Sequence, residues 1–133
     1  MRDFYFFTSK KLTAQDCFEA LKKEIKHVEM NGTDNIWIND KSRSFIWFYN
    51  ERLEDGFYGS QEDYEKEKNL IPIKDPYVTH FETHRSKDLK RVIKVLMKLY
   101  PELYIDDDGD FIASAQEYLD TEFDYWVTTF NNS

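Results

Sequence analysis

Apolar positions fall into runs whose spacing changes along the chain, and those changes mark out the elements. Arg2–Thr8 is a short aromatic run with strand preference, ending where Lys10 and Lys11 begin a polar turn. Thr13 and Asp16 resemble a helix-start pair. Phe18, Leu21, Ile25 and Val28 then recur at spacings of three and four, which predicts a helix over 14–30 stopped by Asn31-Gly32. Asn35–Asn39 and Ser44–Asn50 are β-rich runs joined by Asp40-Lys41-Ser42-Arg43, the pattern of a hairpin. Residues 51–76 lose this periodicity and read as a long connection, with a helical turn or two around Tyr64.

Alternation returns over Tyr77–His84, a predicted strand. Ser86 then caps a helix with Leu89, Ile93, Leu96 and Tyr100 on one face and Lys87, Lys90, Arg91, Lys94 and Lys98 on the other, until Pro101 ends it. Leu103–Asp106 and Asp110–Ala113 pair around Asp107-Asp108-Gly109, which has the residues of a tight turn. Ser114 and Glu117 form a capping box, and Leu119, Phe123, Trp126 and Phe130 predict a terminal helix. Strands and helices in this order predict one α+β domain over 1–133: a mainly antiparallel sheet with two or three helices packed on one face.

Composition supports a single core. The chain has 133 residues, 41% of them hydrophobic, enough apolar area for one domain despite 33% charged residues. No apolar run approaches the roughly 18 residues of a membrane span, and the N-terminal stretch lacks a small-residue cleavage site. Cys17 is the one cysteine, which excludes an internal disulfide or a cysteine-based zinc site and fits a reducing compartment. These features predict a cytoplasmic protein with no membrane partner.

Charge narrows the choice of partner. The net charge is −8, and residues 51–67 and 102–133 carry −5 and −9, whereas the remainder is mildly basic. A phosphate backbone would be repelled by such segments, and the Lys87–Lys98 stretch reads as the solvated side of a helix, so no nucleic-acid partner is expected. Aromatic anchors inside a charged rim are the residue types that interfaces favour. The candidate partner-binding residues are therefore Glu54, Asp55, Phe57, Tyr58, Glu62, Asp63 and Tyr64 in the connection and Asp106, Asp107, Asp108 and Asp110 in the acidic turn. A plainer alternative is that the acidity serves solubility and the aromatics pack back on the sheet.

Other constellations carry less. Asp106, Asp108, Asp110 and Glu117 match four positions of a calcium loop, but Phe111 stands where the loop needs glycine and a strand stands where it needs a helix. The segment reads as a β-turn. His80, Glu82 and His84 share one strand face and could ligate a metal or serve a small enzyme, with His27 as a conceivable fourth ligand, although a half-exposed strand has the same pattern. Cys17 lies on the apolar side of its helix as a buried filler. No nucleophile elbow, phosphate loop or metalloprotease motif is present, so no catalytic residue, metal or cofactor is assigned.

The segment Lys90-Arg91-Val92-Ile93-Lys94-Val95-Leu96-Met97-Lys98-Leu99-Tyr100-Pro101-Glu102, followed by a short strand, Asp-Asp-Gly-Asp and Ser-Ala-Gln-Glu-Tyr, resembles parts of small bacterial immunity proteins, the antidotes to polymorphic or contact-dependent toxins. The resemblance spans residues 86–119. It implies a small α/β domain without chemistry of its own that binds a basic toxin, such as a nuclease, and occludes its active site with an acidic surface. A regulatory interaction module with some other protein partner is the remaining reading.

Overall fold

The computed structural model describes residues 2–39, 43–52, 62, 65, 69–83, 86–107 and 112–121. Seven strands are described: β1 (Arg2–Thr8), β2 (Val28–Met30), β3 (Asn35–Asn39), β4 (Arg43–Arg52), β5 (Tyr77–Thr83), β6 (Tyr104–Asp106) and β7 (Ile112–Ser114). They form one sheet in the order β2-β3-β4-β5-β1-β6-β7, with every neighbouring pair antiparallel. Helices α1 (Ala14–Glu24), α2 (Ser86–Leu99) and α3 (Ala115–Asp120) complete the described elements, giving the expected α+β architecture.

All three helices lie on one face of the sheet. Phe4 and Phe6 of β1, Ile36 and Ile38 of β3, Ile46 and Phe48 of β4, Phe81 of β5 and Ile105 of β6 point to that side. They meet Cys17 and Leu21 of α1, Leu89, Val92, Ile93 and Leu96 of α2, and Tyr118 of α3 in one buried cluster. Period-two burial along strands against period-3.6 burial along helices is what brings the two layers together. Central β1 is sealed on both sides, because Phe7 packs with Ile71 and Val78 on the opposite face.

A buried polar chain links three elements of the helix side. The Ser44 hydroxyl donates to Asp88 Oδ2 at 3.0 Å, so its 2.8 Å contact with Thr83 is one in which the threonine hydroxyl donates. This ties β4 and β5 to the first turn of α2, where negative charge meets the positive end of the helix dipole.

Two predicted helices are shorter than the periodicity suggests. Thr13 caps α1 by accepting from the Asp16 amide at 3.1 Å, as expected, but the helix ends at Glu24, with Ile25 extended and buried. Val28–Met30 is a strand whose Val28 and Met30 face Ile38 and Ile36. Those residues satisfy helical spacing and strand alternation equally, and pairing with β3 decides the outcome. Asn31-Gly32 accordingly shapes a hairpin, not a helix stop, with Gly32 at φ 77° and the Asn31 amide bonded to the Asn35 carbonyl at 2.9 Å.

The capping box of α3 forms as expected: Ser114 Oγ accepts from the Glu117 amide and donates to its carboxylate. The helix nevertheless stops at Asp120. Thr121 is extended, and its hydroxyl donates to the Glu117 carbonyl at 2.6 Å, satisfying an end-of-helix acceptor. The predicted continuation through Phe123, Trp126 and Phe130 lies outside the described residues beyond that break.

Candidate functional site

Alternation along each strand gives the sheet a second face, turned away from the helices. Trp37 of β3, Phe45 and Trp47 of β4, His80 of β5 and Tyr5 of β1 project there, and all are half-buried. Register places them in a row. Trp37 meets Phe45 edge-on at 5.9 Å, Phe45 stacks with Trp47 at 5.4 Å, Trp47 with His80 at 5.1 Å, and His80 with Tyr5 at 4.9 Å. The Phe45–Trp47 stack runs along β4 and the other three pairs cross between strands, where such pairs add to sheet stability, and each ring keeps part of its surface accessible.

Two acids flank the row beside His80 and Phe45, with Glu82 directly opposite Phe45. Asp3 and Glu82 occupy directly opposed positions on β1 and β5, and His80 Nε2 donates to Asp3 Oδ1 at 2.9 Å while standing 3.7 Å from Glu82 Oε1. Burial, then the Asp3 charge, pushes the Glu82 carboxyl above the ordinary glutamate range, with His80 acting in the other direction. Glu29, exposed and opposite Trp37, adds negative charge at the far end of the row. Elsewhere on this face Ile71 and Ile73 cover Phe7, Val78, Tyr104 and Ile112, so the aromatic row borders a small sealed core.

The structure divides the residues expected to bind a partner. Glu62 is exposed. Asp106 and Asp107, expected to present carboxylates on a docking surface, are 1% and 2% exposed: β6 lies beside central β1, and this end of the turn is drawn into the fold. Glu54, Asp55, Phe57, Tyr58, Asp63, Tyr64, Asp108 and Asp110 lie outside the described residues.

Of the histidine cluster, His80 and Glu82 share a face as alternation requires, whereas His84 lies outside the described residues. His27 is not their companion. It lines a cavity with Ile25, Lys26, Ile38 and Arg91, on the helix side. The residue that joins His80 and Glu82 is Asp3, which sequence reasoning passed over because only the β1–β5 register brings it there. Strand alternation puts Asp3 on the opposite face from Phe4 and Phe6, a signal in the sequence that names the face but not its neighbours.

A second concavity lies among the helices, a cleft of about 560 Å³ lined by Glu24, Ile25, Arg91, Lys94, Val95, Met97, Lys98 and Leu119. Its rim is basic, with Lys98 3.5 Å from Glu24. No helix among the described residues is long and apolar enough to cross a membrane. Comparisons with protein families, with curated proteins and with solved structures find no match to this chain.

Proposed function

We propose that this chain is a binding protein of the immunity type, which neutralises a basic protein partner, such as a toxin nuclease, by covering its working surface. The observation that carries the reading is the aromatic row Trp37-Phe45-Trp47 on the face of the sheet away from the helices. Large amphipathic rings held rigid by stacking offer contact area at small entropic cost, and tryptophan is prominent among interface anchors. Their faces also attract arginine and lysine through cation–π contacts worth about 0.5–2 kcal/mol. Net charge −8, with exposed Glu29 and Glu62, favours approach of a cationic surface.

This reading moves the contact surface from the acidic turn, where Asp106 and Asp107 are buried, to the aromatic face. The test is titration of the chain against the protein encoded beside it, across a salt series and with Trp37→Ala and Trp47→Ala. A saturable complex that weakens at least about tenfold in either variant, and forms more slowly at high salt, supports the reading. Absence of a complex, or a complex indifferent to both tryptophans, overturns it.

A further inference from the structure

Asp3 and Glu82 face each other across a β-ladder, where like charges are destabilising, yet the fold sets an imidazole beside them and seals neither acid from solvent. One donor atom from each of Asp3, His80 and Glu82 lies within 4.8 Å of the others. His80 Nε2 is already 2.9 Å from Asp3 Oδ1 and 3.7 Å from Glu82 Oε1. Ligands at roughly 2.0–2.2 Å from a tetrahedral ion stand about 3.3–3.6 Å apart, so small rotations of the two carboxylates suffice to close all three on one ion. The imidazole plane needs no such rotation; on binding an ion, Nε2 gives up the proton it donates to Asp3, and the neutral ring carries its proton on Nδ1. Tyr5 stacks on it at 4.9 Å and Trp47 at 5.1 Å, which fixes the ring plane and keeps Nε2 directed at the acids.

We infer that Asp3, His80 and Glu82 form a binding site for a divalent transition-metal ion, with zinc the best match to the donor set. Imidazole nitrogen with carboxylate oxygen suits zinc and its neighbours, whereas magnesium and calcium take all-oxygen shells of six or more ligands. Three protein ligands leave a further coordination position, the arrangement of sites that exchange a ligand. Side-chain exposures of 40%, 13% and 24% for Asp3, His80 and Glu82 leave an entry path from solvent. The site does not depend on the docking reading. An ion there sits beside the row, with Glu82 opposite Phe45 and His80 stacked on Trp47, and its coordination uses none of the faces of Trp37.

The test uses the full chain produced without a histidine tag, stripped with chelator, and titrated with Zn²⁺ by calorimetry and with Co²⁺ by visible absorption. One equivalent is expected to bind with a dissociation constant of about 10 µM or tighter. His80→Gln and Glu82→Gln are each expected to weaken binding at least about tenfold, and a His27→Ala/His84→Ala double variant to leave it unchanged. Should His80→Gln fail to fold, as judged by circular dichroism, Asp3→Asn at the accessible edge of the cluster takes its place with the same expected loss. Lack of saturable binding of either ion, binding insensitive to Glu82→Gln and Asp3→Asn, or binding lost in the double variant overturns the site.

Discussion

The two faces of the sheet are made by alternate residues of the same strands, yet they are built to different ends. On β5, Thr79, Phe81 and Thr83 turn toward the helices and are 2%, 0% and 0% exposed, while His80 and Glu82 between them turn the other way and are half-buried. The helix side is filled with phenylalanine and aliphatic side chains, and among its few polar groups Ser44 is bonded to Asp88 Oδ2, while Asp88 Oδ1 is buried without a hydrogen-bond partner. The opposite side collects tryptophan, tyrosine, histidine and two crowded carboxylates. One face supplies enough burial that the other can hold an arrangement the fold alone does not favour. Residues set in such an arrangement are the ones to question for function.

Truncation on the two faces should separate these roles most clearly. Phe81→Ala, with its ring fully buried, is expected to cost about 3–5 kcal/mol of unfolding free energy, whereas Phe45→Ala, half-buried on the other face, is expected to cost about 1–2 kcal/mol. Urea denaturation of the two variants measures the difference. Equal losses would break the contrast.

Cys17 tests how dry the helix side is. Burial, then the nearby Asp16 charge, pushes its thiol up to about 12. A folded-state value raised above the unfolded one gives stability that is fully present below the unfolded pKa, near 9, and is lost as pH rises through about 12. Stability should therefore fall by a few kcal/mol over that alkaline window, and the slope should flatten in Cys17→Ala. At neutral pH a thiol reagent should label the native protein only at the rate of unfolding. Rapid labelling would mean that water reaches α1's inner side.

Sequence carried the helix side further than the other. Burial of Leu21, Leu89, Ile93 and Leu96 follows from spacing, because a helix's inner stripe depends on its own residues alone. Phe18, read on the same stripe, is partly buried and carries Lys22 5.2 Å over its ring. Elements decided by partners were not legible in this way. Val28–Met30 is a strand because Ile36 and Ile38 lie opposite, and the acids of the second face meet because of register between strands about 75 residues apart. Charge counting drew attention to Asp106 and Asp107 for the same reason: composition reports how many carboxylates a segment has, not which way its strand turns them.

Two smaller effects sharpen the account of the helix layer. Ser44→Ala removes the donor to Asp88 and the acceptor for Thr83, leaving a buried carboxylate short of a partner, and is expected to cost about 1–3 kcal/mol. Ser114→Ala removes the cap of the six-residue α3 and is expected to cost about 0.5–2 kcal/mol. Thermal melts compare both with wild type. A neutral Ser44→Ala would show that the polar chain orders β4, β5 and α2 without stabilising them.

The smallest effect has the opposite sign. Glu82 lies one residue from Phe81, faces Asp3 directly, and has its carboxyl held above the ordinary range by burial and by that charge. Glu82→Gln keeps the shape and most of the hydrogen-bonding capacity while removing one of the two like charges. At neutral pH, in the absence of metal, it is expected to raise stability by about 0.2–1 kcal/mol, the size of a cross-strand charge effect. A gain would mean that the second face keeps this carboxylate at a cost to the fold, in contrast to Phe81 beside it, whose removal should be among the most damaging changes in the chain. A loss of more than about 1 kcal/mol would instead make Glu82 a structural partner of His80 and remove the electrostatic distinction between the two faces beside the row.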